Sequence, residues 1–391
     1  MIESIYVGMS GLSGFSRGLR VIANNTTNLN TPGFKSSSLQ FSDAFYANGG
    51  ASGNDGSQLG YGLNTGSTNL SFKQGELRRT DNTLDLAVDG QGLFTLKSED
   101  GAVTYTRAGQ FRFDTDGVLV NGTTKTKVMG VGADGNVSEI NISGQQTDAG
   151  KPTAVVKFTG NLSSTATDQT VTGVKVIDSV GGEHTLSVKL TNTNATTAGS
   201  WQVDLLDGTA TAATGQIIFA NGLPTTATSK LAVNYTPAGQ AAMPLTLDFS
   251  SGVTSYASGT LSTLSYGSQD GYAPSGLSSA TFDATGTLVL TYASGQTVKG
   301  AKLSLARFDS TDAVGAVGDN EFESLDGNAW HSGLAGDLFG TVRSGYVEIS
   351  NVDLSQEFSD LVIMQRGYQA SSQVISTANE MLQELFSMKS R

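Results

Sequence analysis

The chain has 391 residues, no cysteine, and a formal net charge of −12 from 23 basic and 35 acidic side chains. That length exceeds one hydrophobic core and points to two or three compact bodies. Without cysteine there are no disulfides, thiolate metal sites or cysteine nucleophiles, and so few bases argue against nucleic acid and anionic membrane surfaces as partners. With 49 glycines and 6 prolines, the composition suits a β-rich protein with many tight turns.

At the N-terminus Glu3 stands where a secretory signal would carry a base, and nothing later reaches the run of about 18 apolar residues that a membrane span needs. The chain is therefore expected to be soluble, or secreted by a route that leaves its N-terminus intact. Ile2, Ile5, Met9, Leu12, Leu19 and Ala23 step by three and four, with Ser16 filling the gap, which predicts a helix with one apolar stripe. Gly8, Gly11, Gly14 and Gly18 lie inside it and remove roughly 4 kcal/mol of helix preference relative to alanine. The helix should fray alone, and the glycines are expected to permit close approach of neighbouring backbones once helices are packed by assembly. The run Asn24 to Asn30 is expected to end it, because short amides compete for backbone hydrogen bonds. Thr31-Pro32-Gly33-Phe34 fits a type II turn, with glycine where φ must be positive.

Residues 36–66 read as an extended connector with few strands. Strands are predicted at 68–72, 84–88, 93–97, 104–106, 111–113 and 118–120, with Asp116-Gly117 turning the last two into a hairpin. From about Asn141 to Gly276 charge thins out and alternating segments at 174–177, 185–190, 201–205 and 216–219 predict a separate β domain. Strands resume at 280–282, 287–292 and 303–308, and 323–350 is a glycine-rich passage. A second helix is predicted to begin near Leu354, capped by a box of Asp353 and Gln356. Leu361, Met364, Tyr368, Ser371, Ile375, Ala378, Leu382 and Leu385 repeat along it with heptad spacing, a seam that needs a partner.

Little here suggests catalysis. His184 and His331 are far apart and read as turn or surface residues, so a transition-metal site has no support. Asp114-Thr115-Asp116-Gly117 opens like a calcium loop, but Thr123 to Thr126 supply no closing acid, so the hairpin reading wins. Gly90-Gln91-Gly92 lacks the third glycine of a dinucleotide fingerprint. No Gly-x-Ser-x-Gly elbow is present. An acidic pair of the glycosidase kind is neither nominated nor excluded.

Four blocks carry a family resemblance. GLRVIANNTTNLNTPGFK, with Ala23, Asn24, Asn25, Asn28, Thr31, Gly33, Phe34 and Lys35 in order, resembles the N-terminal signature of the bacterial flagellar axial proteins, the rod and hook subunits. FKQGELRRTDNTLDLAVDGQGLF resembles a second block of the same family. SNVDLSQEFSDLVIMQRGYQASSQVISTANEMLQEL resembles its C-terminal helix, with Gln365, Arg366, Tyr368, Gln369 and Ala370 most distinctive. VIDSVGGEHTL followed by Trp201 resembles the outer domain of the hook branch, which selects hook over rod. Gly367 departs from the pattern and is expected to loosen the second helix locally.

The resemblance implies a multidomain α+β chain in which paired, coiled-coil-like N- and C-terminal helices carry nested, mostly antiparallel β domains. The helical domain would be 1–30 with 351–391, a connector 31–70, an inner β domain 71–140 with 277–350, and an inserted outer β domain 141–276. The implied function is a structural subunit of the extracellular hook, a curved tube that joins rod to filament, with no cofactor and no reaction. Its partners would be copies of itself, the rod, the hook cap, the hook–filament junction proteins and the flagellar export apparatus. The stripe and seam residues from Ile2 to Leu19 and from Leu361 to Leu385 would pack between subunits. A distal-rod-like subunit and a secreted β-rich adhesin are the alternatives.

Overall fold

The structure, a computed structural model, describes residues 2–44, 46–48, 58–336 and 338–389. It clusters into two compact units, residues 1–143 with 280–290 and 298–391, and residues 144–279 with 291–297. The second is inserted into the first, and the mostly antiparallel pairing predicted for the β domains holds in both; strand 155–161 makes two parallel contacts, and Ser258 and Thr260 form a parallel bridge.

In the first unit, helix α1 spans Ile2–Thr27 and helix α2 spans Leu354–Lys389. As expected, α1 ends within the asparagine-rich run, at Thr27. The hydroxyls of Thr26 and Thr27 bond back to the carbonyls of Ile22 and Ala23 at 2.8 and 3.0 Å, and the Asn28 amide donates to the Asn24 carbonyl at 2.9 Å. Polar side chains expected to compete with the helix instead satisfy its last carbonyls. At the start of α2, Asp353 Oδ1 accepts from the amides of Ser355 and Gln356 at 2.9 and 3.3 Å. The Gln356 side chain turns forward to Asp360 at 3.0 Å, so only half of the expected box forms.

The expected connector is more regular than its composition suggests. Residues 37–43 and 63–70 pair antiparallel as a ribbon, with Leu39 opposite Thr68 and Ser42 opposite Asn64. The ribbon lies on α1, where Arg17 donates to Thr65 Oγ1 at 2.6 Å and the rings of Phe15 and Phe41 sit 6.0 Å apart. Gly14 faces Leu63, Thr65 and Phe41, so a side chain there would collide with the ribbon. Polar residues on both faces hid this ribbon from a test for alternation.

Beyond the ribbon, strands 93–97, 103–106, 127–131, 297–308 and 321–324 form the inner sheet. Leu86, Leu93, Phe94, Leu96, Leu119, Val128, Leu303 and Leu305 are fully buried on or against it, Leu93 in a separate cluster with Val314 and Phe322. Phe72 closes one end edge-on to Phe308 and Phe322, at 4.6 and 5.0 Å between centroids. The Asp116-Gly117 hairpin joins 111–113 to 119–121, and Asp114 Oδ1 accepts the amides of Asp116 and Val118, which commits that carboxylate to the turn. The glycine-rich passage holds strands 330–334, 341–344 and 346–348, the last two pairing with 86–89 and 77–79. They are too short to show a period.

The second unit faces two sheets across one core. Strands 168–177, 183–192, 200–207 and 210–220 form an antiparallel meander, and 155–161, 230–235, 243–248 and 265–269 form the other sheet. Leu186, Val188 and Leu190 alternate inward against Trp201, Tyr235, Leu245 and Leu247. Phe158 stacks on Phe249 at 4.6 Å. His184 lies on a strand and bonds Asp178 Oδ2 through Nε2 at 2.9 Å, while Asp178 Oδ1 accepts the amides of Val180 and Gly182 at 2.9 and 2.7 Å. The His184 bond, opposed by burial and helped by those amides, holds the Asp178 carboxyl below its ordinary value. A depressed carboxyl contributes stability above its unfolded value, near pH 4, and loses it as pH falls through the folded value. Asp178→Asn should therefore lower stability at pH 7 and flatten the decline of the urea midpoint below about pH 4; an unchanged acid slope would refute this role.

Candidate assembly surface

The two ends of the chain lie antiparallel against each other. Gly8 faces Ile375, Gly11 faces Ser371, Gly18 faces Met364, and Gly367 in turn admits the ring of Phe15. Glycine on one helix opposite a larger side chain on the other brings the two backbones close. Gly367, expected to loosen α2, is therefore a packing position. A Cβ at Gly8 would come within 2.7 Å of Ile375 Cγ1, and one at Gly11 within 2.5 Å of Ser371 Oγ.

Only part of the predicted apolar set is used within the chain. Ile5, Leu12, Leu19, Leu361, Met364, Ile375 and Leu382 are half-buried and Ala378 is buried. Met9, Tyr368 and Leu385 stay exposed at 56, 42 and 46 %, and the side chain of Ile2 lies outside the described residues. Ile363, Val374 and Met381 form a further exposed line on α2. Beside it Ser4, Ala370, Thr377 and Ala378 help line an apolar groove of about 460 Å³. With Gly8 opposite Ile375, α2 beyond about Leu382 extends past the start of α1 and carries exposed Phe386 and Met388.

The N-terminal motif ties this helix pair to the β strands of its own unit. Ala23 and Asn24 are exposed. Asn25 is buried, with Nδ2 donating to the Ser37 carbonyl and Glu357 Oε1, both at 2.8 Å, and Oδ1 accepting the Ser37 amide at 3.0 Å. Burial raises the Glu357 carboxyl, against the pull of the Asn25 bond. Asn28 Oδ1 accepts the Thr31 hydroxyl at 3.0 Å. Gly33 has φ +71°, Phe34 closes the predicted turn onto the Thr31 carbonyl, and the Gly33 amide donates to the Glu348 carbonyl at 2.8 Å. Gln365, Arg366 and Gln369 are exposed on α2, and among the described residues their side chains make no hydrogen bond or ion pair.

Lys35 ends the motif inside a buried cluster of charges. Its Nζ donates to Glu348 Oε1 at 2.6 Å and to the Lys73 carbonyl at 2.8 Å. Arg107 donates to Glu348 Oε2 at 2.9 Å, to the Val88 carbonyl at 3.0 Å and to the Gly90 carbonyl. The Gly75 amide donates to Glu348 Oε1 at 2.8 Å. The three charged side chains are at most 2 % exposed. Burial draws Lys35 and Arg107 below their ordinary values, and Glu348 pulls each back up. Sequence reading found Lys35 but not its partners, since Arg107 and Glu348 lie in short strands and turns far from it in the chain.

Among the described residues no helix is long and apolar enough to cross a membrane, and no group of three metal-ligating side chains converges.

Three family models match the chain. They are the flagella basal body rod protein model over residues 5–35, the flagellar hook protein FlgE/F/G D1 domain over 87–147, and the flagellar basal body rod FlgEFG protein C-terminal model over 343–388. Together with the terminal helix pair they define the class, an axial subunit of the flagellar rod and hook. Its relatives include the flagellar hook protein FlgE of Escherichia coli, 31 % identical over 97 % of this chain and 98 % of that one. The FlgE of Rhizobium meliloti is 30 % identical over 98 % of both, and that of Borreliella burgdorferi 27 % over the whole of both. The chain belongs to the FlgE flagellar hook protein family. A crystal structure of Helicobacter pylori flagellar hook protein FlgE2 shares the fold, with a TM-score of 0.52 and 14 % identity over 69 % of this chain and 100 % of that one.

Proposed function

We propose that this chain is the structural subunit of the extracellular flagellar hook, polymerising into a curved, flexible tube that joins rod to filament and transmits torque. The observation that carries the reading is end-to-end similarity to hook proteins in a chain whose two termini form one helix pair with uncovered apolar sides. Repeated head-to-tail contacts that do not close make filaments rather than rings. The inner tube is assigned to 1–30 with 351–391, the connection outward to 31–70, the middle layer to 71–140 with 277–350, and the outer layer to 141–276. Met9, Tyr368 and Leu385, exposed in the single chain, are the packing positions left for neighbouring copies, and the half-buried stripe and seam residues complete those contacts.

The partners are further copies, the rod, the hook cap, the hook–filament junction proteins and the flagellar export apparatus, with neither nucleic acid nor membrane among them. No reaction is assigned, a reading supported by Asp114 and Asp178, whose carboxylates are bound into turns. Electron microscopy of concentrated protein should show curved tubes; straight rods would move the assignment to a distal-rod-like subunit, and failure to polymerise would remove it. The polar outer unit is assigned the sliding contacts that let the tube bend, and the helices the fixed ones. Deleting 141–276 should leave tubes that assemble with altered curvature, whereas unchanged bent hooks would sink that division.

A further inference from the structure

The Lys35–Glu348–Arg107 cluster contains two cations and one anion, and its members come from widely separated parts of the chain. Glu348 lies 313 residues after Lys35 and 241 after Arg107. Until Glu348 is in place, the strands around Arg107 have only backbone carbonyls to offer its guanidinium. Lys35 can shed its proton in such a site, but an arginine side chain cannot. The segment that brings Glu348 also lies among the others, its strand 346–348 pairing with 77–79 and Asn351 accepting the Ser36 amide at 2.8 Å and donating to the carbonyls of Ser71 and Lys73. An ion removed from a buried, hydrogen-bonded pair leaves its partner uncompensated, a heavily disfavoured state.

We propose that Glu348 is a completion switch: the inner β strands around Arg107 stay open until this carboxylate arrives from the far end of the chain, so the subunit cannot close its inner body while incomplete. It concerns folding order alone, so its failure would leave the hook reading untouched.

The test uses the full chain and three proteins: wild type, Glu348→Gln, and Glu348→Gln combined with Lys35→Met and Arg107→Met. Glutamine keeps the shape of the side chain and leaves the backbone bonds of 346–348 available, so it isolates the charge. Hydrogen exchange at the amides of 93–131 should become roughly tenfold faster or more in Glu348→Gln, while that at 174–190 in the inserted unit is unchanged. The combined variant should regain protection, although the anion is still missing. In pulse-labelled refolding of wild type, 93–131 should become protected in the same phase as 346–348, and earlier than 346–348 in the combined variant. The proposal is overturned if Glu348→Gln exchanges like wild type, if the combined variant is no better protected than the single one, or if wild-type 93–131 is protected before 346–348.

Discussion

Leucine at Gly8 or Gly11 is expected to abolish tube formation while leaving both β units folded. Two effects oppose each other at these positions. Replacing a helical glycine adds up to about 1 kcal/mol of intrinsic helix stability, so the isolated helix should gain. The contact surface loses more. A Cβ at Gly8 meets Ile375 Cγ1 at 2.7 Å and the Ser371 carbonyl oxygen at 3.2 Å, and the second is backbone that cannot rotate away. Overpacking of this kind costs about 1 to 3 kcal/mol, and a leucine chain beyond the Cβ pushes the helices apart, which also displaces the surface that α2 offers to other copies. Ser16→Ala is the control, because Ser16 is exposed on α1 and alanine there raises helix preference without a clash. Circular dichroism and electron microscopy read the two effects separately. Tubes of normal yield from Gly8→Leu would show that the close approach of α1 and α2 does not matter for assembly.

The same glycines show how far the sequence could be read and where it stopped. A helix bearing Gly8, Gly11, Gly14 and Gly18 conflicts with its own propensity, which pointed to close packing by assembly; within the chain the glycines already face α2 and the ribbon. Periodicity gave both helices because a 3.6-residue repeat over many turns accumulates signal. It could not say that the glycines, rather than Met9, would face α2, nor that Gly14 would turn away to Leu63 and Phe41. The strands of the inserted unit were legible because Leu186, Val188 and Leu190 alternate with polar residues over a long stretch. Strands 341–344 and 346–348 were not, being four and three residues long. The charge cluster left the weakest trace of all. Buried ion pairs are set by which strands meet in space, and one Glu in a short strand looks like any solvent-facing Glu until the fold places Lys35 and Arg107 beside it.

Gly33→Ala should be among the most damaging single substitutions in the first unit, and a comparison between glycines isolates the reason. Gly33 has φ +71°, a conformation in which a side chain costs about 1 to 2 kcal/mol. Gly135 has φ +77° with nothing within 4 Å of an added Cβ, so Gly135→Ala should cost about that and no more. At Gly33 the added Cβ would also lie within 2.3 Å of the Ala108 nitrogen and 2.7 Å of its Cα, both of them backbone. The turn cannot retreat without breaking the bond from the Gly33 amide to the Glu348 carbonyl, which sits beside the Lys35 cluster. The total should exceed about 3 kcal/mol, in the range reserved for strain and lost buried networks. Urea unfolding followed by exchange at 93–131 measures it, with 174–190 in the inserted unit as an internal reference. Because the turn joins α1 to the strands of its own unit, loosening it should also uncouple the helix pair from that body, giving tubes that form poorly or carry load badly. Equal costs at Gly33 and Gly135 would show that the close approach to Ala108 contributes nothing, and that the glycine of this motif is required only for its backbone angle.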